Sequence, residues 1–289
     1  MYVNSVNAED TITLDFTTGP RGHILIPVAV NSGKAGTFVF DTGASKTALN
    51  SKRINSLSLD VDSLEKTEVK RAHGVEATYY VPLEKVTLGS AERNDIKAVL
   101  MDLSSTEGGD MTLAGVLGYD FFGGYDVTIN YESETLSLRK QAKGDTCKAV
   151  QGEQFEFVAG RHIKTNLLVS QKTIPAVLDT GSGQSGMNGI AIDLLSPGAT
   201  DQFKAAKAAH GAPQGQRHHG GDYYLGQARI GSIVHGENTL ATDKQLNVVD
   251  LPVFQYFDMG DKPGILMGAD LLKNKTVNIS YGCQKIEIA

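Results

Sequence analysis

The segment Phe38-Val39-Phe40-Asp41-Thr42-Gly43-Ala44-Ser45 decides how this chain is read, because it returns at 176–183 as Ala176-Val177-Leu178-Asp179-Thr180-Gly181-Ser182-Gly183. In each copy an apolar run ends in Asp-Thr-Gly followed by small residues. An acid at the end of a buried strand is costly unless hydrogen bonds or function retain it. A single Asp-Thr-Gly is three common residues met by chance. Two in matching surroundings are a repeat.

The match extends outward from both motifs. Upstream, Gly22 to Asp41 and Gly160 to Asp179 each span 19 positions, an offset of 138. Downstream, Gly115-Val116-Leu117-Gly118-Tyr119-Asp120-Phe121-Phe122 meets Ile265-Leu266-Met267-Gly268-Ala269-Asp270-Leu271-Leu272, and Val127-Thr128-Ile129-Asn130-Tyr131 meets Val277-Asn278-Ile279-Ser280-Tyr281. The offset there is 150, so the second copy carries a net insertion of 12 residues. Alternating runs such as Thr11–Phe16 read as strands, and the chain is a tandem duplication of a mostly β unit. A repeat this long implies paired lobes rather than a solenoid.

The polar stretch 139–154 marks the join, dividing the chain into a first lobe 1–143 with Asp41, a linker 144–158 and a second lobe 159–289 with Asp179. The expected fold is all-β: two lobes related by a pseudo-twofold axis, with a cleft between them. One helix is expected over Asp201–Ala209, capped by Thr200 and stopped by Gly211, followed by a loop to Gly221.

Composition narrows the function. The 289 residues allow one large domain or two ordinary ones, each with its own core. With 40% hydrophobic and 21% charged residues the chain reads as globular, and 32 glycines suit strands and tight turns. A net charge of −6 without a Lys/Arg cluster argues against a nucleic-acid partner. No apolar run reaches bilayer-spanning length, so no membrane association is expected. The start, Met1-Tyr2-Val3-Asn4-Ser5, lacks a signal peptide, which fits a cytoplasmic chain or an exported, periplasmic one whose leader has been removed. Cys147 and Cys283 fit one disulfide or two buried thiols equally well, and no zinc spacing.

One acid per copy can bring two carboxyls together on the pseudo-twofold axis. Two carboxyls in contact share one proton and their pKa values split; the pepsin dyad is the standard worked example. The ionised member can take a proton from water as the water attacks a peptide carbonyl, while the protonated member donates to the developing oxyanion. Thr42 and Thr180 can lock the two loops together, and Gly43 and Gly181 leave room beside the acids where a Cβ would intrude.

These residues resemble the aspartic proteases. Asp41-Thr42-Gly43-Ala44-Ser45 and Asp179-Thr180-Gly181-Ser182, each paired with an apolar-apolar-Gly segment (Val116-Leu117-Gly118, Leu266-Met267-Gly268), carry the resemblance from about Thr11 to Ala289. Two copies in one chain look pepsin-like, while the local wording is nearer to retropepsins and their bacterial relatives. The resemblance implies a bilobal aspartic-protease fold and an endopeptidase with Asp41 and Asp179 as catalytic pair. It further implies no cofactor and no metal, a peptide or protein substrate bound extended, and a chain complete as a monomer. The rival is a silent or latent protease fold that binds peptides or proteins.

The position three past each aspartate differs: Ala44 in the first copy, Ser182 in the second. In pepsin-like relatives a hydroxyl there donates to the aspartate. The resemblance therefore implies that Ser182 makes Asp179 the readier to ionise, leaves the shared proton on Asp41 and gives a mildly acidic optimum. Flap hairpins are expected at 72–81, with His73, Gly74, Tyr79 and Tyr80, and at 218–224, with His219, Gly220, Tyr223 and Tyr224. Asp120 and Asp270 also repeat, each where a short helix would start, and are expected to cap it. His210, His218, His219 and Asp222 sit in a Gly-rich stretch and read as solvated loop rather than a metal site. Cys147 stands next to the linker and Cys283 in the turn of the last hairpin, where a disulfide could join them near the lobe junction.

Overall fold

The computed structural model describes residues 11–52, 60–104, 112–141, 145–210 and 223–289. The first copy runs β1 (Thr11–Asp15), β2 (Thr17–Thr18), β3 (Ile24–Val30), β4 (Gly36–Phe40) and β5 (Ala48–Asn50). It continues through a long hairpin, β6 (Lys66–Arg71) and β7 (Gly74–Leu88), to β8 (Ala91–Met101) and β9 (Gly115–Leu117). A single helical turn, α1 (Tyr119–Phe122), then leads to β10 (Tyr125–Asn130) and β11 (Thr135–Lys140). The second copy repeats the plan with β12 (Glu153–Gln154), β13 (Glu156–Val158), β14 (His162–Val169), β15 (Lys172–Leu178) and β16 (Gly186–Met187). After the helices α2 (Gly189–Leu195) and α3 (Ala199–His210) come β17 (Tyr224–His235) and β18 (Asn238–Val249). The turn α4 (Val253–Tyr256), β19 (Ile265–Met267), the turn α5 (Ala269–Leu272), β20 (Thr276–Ser280) and β21 (Lys285–Ile288) complete the chain.

Each lobe is built on one mixed sheet. The first is ordered β2-β3-β4-β9-β5-β8-β7-β6 and the second β13-β14-β15-β19-β16-β18-β17, the same sequence of equivalent strands. β6 has no counterpart among the described residues. The central strands β4 and β9, and β15 and β19, run parallel and are covered on both faces. That is why they read as unbroken apolar runs, Phe38-Val39-Phe40 and Ala176-Val177-Leu178, rather than as alternation. The mostly-β, bilobal expectation is met.

A third sheet joins the lobes, ordered β1-β11-β10-β20-β21-β12. Its centre is the antiparallel pair β10–β20, in which Thr128 faces Asn278. These residues are equivalents in the two copies, 150 apart, so the pseudo-twofold axis passes between them, and Thr128 Oγ1 donates to Asn278 Oδ1 at 2.9 Å. β12 edges one side of this sheet as β1 edges the other. Glu153–Gln154 and Glu156–Val158, within the stretch read as linker, are therefore already strands of the second copy.

Two local expectations change. Thr200 does not cap the long helix but lies inside it, its Oγ1 donating to Gly189 O at 2.7 Å and its N–H to Asp193 Oδ1 at 2.9 Å. The expected stop, Gly211, falls outside the described residues. The preceding helix α2 was not foreseen; Asn188 caps it, its side chain accepting from Ala191 N at 2.9 Å.

Cys147 and Cys283 form a disulfide, their Cα atoms 5.3 Å apart and 136 residues apart in sequence. The bond ties the join between copies to the turn of the last hairpin. Closing so long a loop restricts the unfolded chain by about 5 kcal/mol in the chain-entropy account. Replacing both cysteines by serine should lower unfolding free energy by about 3 kcal/mol in urea titrations. An unchanged midpoint would show that the unfolded chain is already held compact without the bond.

Candidate active site

Asp41 follows β4 and Asp179 follows β15, and both loops are held from behind in the same way. Asp41 N donates to Leu117 O at 3.1 Å, and Asp179 N donates to Met267 O at 2.9 Å. Asp120 accepts from Thr47 N at 2.8 Å and Thr47 Oγ1 at 2.7 Å; Asp270 accepts from Ser185 N at 2.8 Å and Ser185 Oγ at 2.6 Å. The helical turns that carry these acids are preceded by Gly118 and Gly268, without a side-chain cap. Asp120 and Asp270 therefore brace the aspartate loops instead of capping their own turns. Gly118 and Gly268 are fixed by the same packing: a Cβ would lie 2.5 Å from Lys46 C and 2.8 Å from Gln184 C.

The two loops meet through Thr42 and Thr180. Thr42 N donates to Thr180 Oγ1 at 3.0 Å and Thr180 N to Thr42 Oγ1 at 3.1 Å. Each hydroxyl passes its own proton across, Thr42 Oγ1 to Leu178 O at 3.2 Å and Thr180 Oγ1 to Phe40 O at 2.9 Å. Both threonines are buried, and every polar atom of the exchange is satisfied from the opposite copy.

This exchange places the carboxyls of Asp41 and Asp179 in hydrogen-bond contact. Gly43 N and Gly181 N both donate to Asp41 Oδ1, at 2.7 and 3.2 Å. A Cβ on Gly43 would lie 2.4 Å from Asp179 Oδ1, and one on Gly181 would lie 2.2 Å from Asp41 Oδ2. No other residue fits at either position.

The pair is asymmetric. Burial pushes Asp41 well above the ordinary carboxylate range, and the charge of Asp179 pushes it further. Burial raises Asp179 too, but the nearby His162 ring, the hydrogen bond from Asp41 and the N–H groups of Gly181 and Ser182 draw it back. Asp41 is thus the more strongly raised of the pair and Asp179 the readier to ionise. The cause is not the one expected. Ser182 Oγ donates to Gln184 O at 2.8 Å and is spent there, so only the backbone of Ser182 serves Asp179. Ala44 lies partly buried beside Asp41, its N–H donating to Asp41 O at 3.3 Å.

Two histidines were not singled out from the sequence. His162 Nε2 lies 2.9 Å from Gly43 O, and Nδ1 bonds Ala159 O. His23, its equivalent in the first copy, bonds the carbonyl of Gly181. Each histidine therefore reaches across to the glycine of the other lobe's Asp-Thr-Gly. The signal was present as His-Ile after a glycine in both copies. It is hidden by one residue, because Leu25 pairs with Val39 whereas Lys164 pairs with Val177.

A cavity of about 1200 Å³ opens beside Asp179, between residues of both copies, and is lined by His23, Tyr131, Gly181, Arg71 and His73 among others. Arg71 and His73 belong to the tip of the β6–β7 hairpin, which is docked on the second copy. Val253 N donates to Ala72 O at 3.3 Å, Lys70 Nζ lies 4.4 Å from the centre of the Tyr256 ring, and the His73 and Tyr223 rings are 6.2 Å apart. Gly74 begins the returning strand, opposite Arg71. Tyr79 and Tyr80 stand farther down β7 and do not line this cavity; Tyr80 packs under the Lys97 ammonium, 5.5 Å from its ring centre. Tyr224 is buried in the core beneath the hairpin tip. His219, Gly220 and the remaining histidines considered for a loop lie outside the described residues, as does the side chain of His210. Among the described residues no three His, Cys, Asp or Glu are grouped to hold a metal ion, and no helix is long and apolar enough to cross a membrane.

A carboxyl raised on folding binds its proton more tightly in the folded chain. Its stabilising effect is complete below the ordinary carboxylate range and is lost as pH rises through the raised value. Asp41→Asn, which cannot ionise, should therefore unfold at a higher temperature than the parent at pH 7–8 and lose that advantage near pH 4. Parallel thermal melts from pH 4 to 8 with a constant gap would contradict the buried, shared proton.

Residues 26–121, within the first copy, match the family model described as aspartyl protease. Among solved structures, a retropepsin-like aspartic protease from Rickettsia conorii is similar at 23% identity and a TM-score of 0.35, over 45% of this chain and 92% of that one. No curated protein matches the sequence. The first copy is thus similar to the aspartyl protease family, and the second copy repeats its Asp-Thr-Gly motif and the support behind it.

Proposed function

We propose that the chain is an aspartic endopeptidase that hydrolyses peptide bonds with a water held between Asp41 and Asp179. The observation that carries this reading is the contact of two partly buried carboxyls of unequal proton affinity, each in an Asp-Thr-Gly loop locked to the other. Asp179, ionised, takes a proton from the water as its oxygen bonds to the substrate carbonyl carbon. Asp41 gives its proton to the carbonyl oxygen, forming a neutral tetrahedral diol. In the collapse of the diol the C–N bond breaks, Asp179 passes its proton to the leaving nitrogen, Asp41 takes a proton from a diol hydroxyl as the C=O bond reforms, and the pair returns to its starting state. The scheme uses neither metal nor cofactor.

On this reading the partner is a peptide or protein laid extended through the cavity beside Asp179, pairing with the edge of the β6–β7 hairpin. No nucleic acid or membrane takes part, and one chain supplies both halves of the site. Digestion of a mixed peptide library from pH 3 to 8 should give cutting with an acidic optimum. Asp41→Asn and Asp179→Asn should each reduce kcat/KM at least about 10³-fold, as loss of a group acting in the transition state does. Cutting that survives either substitution would refute the dyad.

The docked hairpin tip favours one second reading, a latent enzyme or a binding module whose cavity is covered until the tip lifts. Lys70→Ala removes the ammonium over Tyr256, an exposed contact worth up to about 1 kcal/mol. It should raise kcat/KM roughly two- to fivefold if the tip acts as a latch. Unchanged or lower activity would mean that the docked tip is the working position.

A further inference from the structure

We propose that His162 is a positioning residue that breaks the symmetry of the pair: as a doubly protonated imidazolium bridging the carbonyls of Gly43 and Ala159, it holds Asp179 as the carboxylate and leaves the shared proton on Asp41. This rests on the endopeptidase reading for its kinetic consequence, though not for its chemistry.

Both ring nitrogens of His162 face carbonyl oxygens, which can only accept. A neutral imidazole has one N–H and one lone pair, so one of those contacts would set lone pair against lone pair; the imidazolium donates at both. The ring is 5% exposed and packed against the aromatic rings of Tyr256 and Phe257, with centroids 5.9 and 4.8 Å away. A cation so buried requires a negative partner. The charged and titratable groups around it are few. From the aspartate loops comes Asp179, and from the α4 turn comes the Tyr256 phenol, which carries the Lys70 ammonium over its ring. From its own turn comes Arg161, whose guanidinium lies 5.0 Å from the Phe157 ring centre. The acids near the ring are Asp179 and its partner Asp41, and Asp179 is the one that the ring draws toward the carboxylate.

His23 occupies the equivalent place and is completed differently. Its Nδ1 is buried with no partner, its ring bonds the Gly181 carbonyl, and Arg21 stands beside it. A single donated bond and a neighbouring cation favour the neutral ring. The two lobes thus carry the same side chain in two protonation states. The peptide of Gly43 links His162 to both carboxyls: its oxygen accepts from the imidazolium while its N–H donates to Asp41. The charge difference between the histidines supplies the asymmetry that the Ser182 hydroxyl does not.

Two measurements on the full chain decide this, and they fail separately. Histidine labelled with ¹⁵N, with the His162 signals assigned by their loss in His162→Gln, should show both ring nitrogens protonated through the pH range of maximal activity. A one-protonated pattern there overturns the proposal whether or not the protein cuts peptides. In pH–rate profiles, His162→Gln keeps a donor toward Gly43 O but removes the charge. The acidic limb of kcat/KM should move to higher pH by roughly one unit. An acidic limb that stays in place overturns the proposal even if overall rate falls, since a purely structural residue lowers rate without moving the limb. If the parent cuts no peptide at any pH, the endopeptidase reading falls, and the ¹⁵N pattern still decides the state of His162.

Discussion

Two buried threonines hold the molecule's working part together. Thr42 and Thr180 each donate an N–H to the other's hydroxyl, and each hydroxyl donates onward to a backbone carbonyl of the opposite copy. Burying these six polar atoms at a lobe junction would be prohibitive if they were left unpaired, at about 1–3 kcal/mol each. Because all are paired, only one relative placement of the loops satisfies them. That placement sets the carboxyls in contact. The second fixed point on the axis, Thr128 against Asn278 in the joining sheet, prevents the lobes from rotating about the first.

The carboxyls pay for this closeness in proton affinity. Neither can shed its proton into water-like surroundings, and together they retain one. The surrounding structure then decides which oxygen keeps it. Two glycine N–H groups converge on Asp41, yet Asp41 is the more strongly raised member, because the charge of Asp179 raises it while the His162 ring and the hydrogen bond from Asp41 draw Asp179 back. A site built from a duplication is by default symmetric, and water activation needs one base and one acid. The departures from symmetry are accordingly where the chemistry is specified.

What the sequence disclosed follows from how local each feature is. Asp-Thr-Gly, its apolar strand and the apolar-apolar-Gly segment are contiguous, so a simple offset found them in both copies. Asp120 and Asp270 were found by the same offset but given the wrong task, because a helix start is visible in one segment whereas Thr47 and Ser185 lie 73 and 85 residues away. Ser182 was misjudged for a similar reason: its acceptor is the carbonyl of Gln184, a rotamer choice that residue type does not encode. His23 and His162 escaped because a one-residue difference in turn length displaced them from the 138 offset that aligned the aspartates. Strand register, not sequence spacing, makes them equivalent. The helix α2 was missed because its cap, Asn188, and short apolar run sit in the segment inserted only in the second copy.

The joining sheet has a consequence beyond geometry. Because β10 pairs with β20 in the same chain, the two halves meet at an effective concentration set by the connecting segment rather than by the number of molecules present. Dilution does not part them. The covalent connection also frees each half from copying the other. In a pair of identical chains every substitution appears twice, once on each side of the axis, and a residue that helps one aspartate is imposed on its twin. Here Ala44 can stand opposite Ser182, and a hairpin on one lobe can coexist with helices beside the other, so the two sides of the cavity present different surfaces.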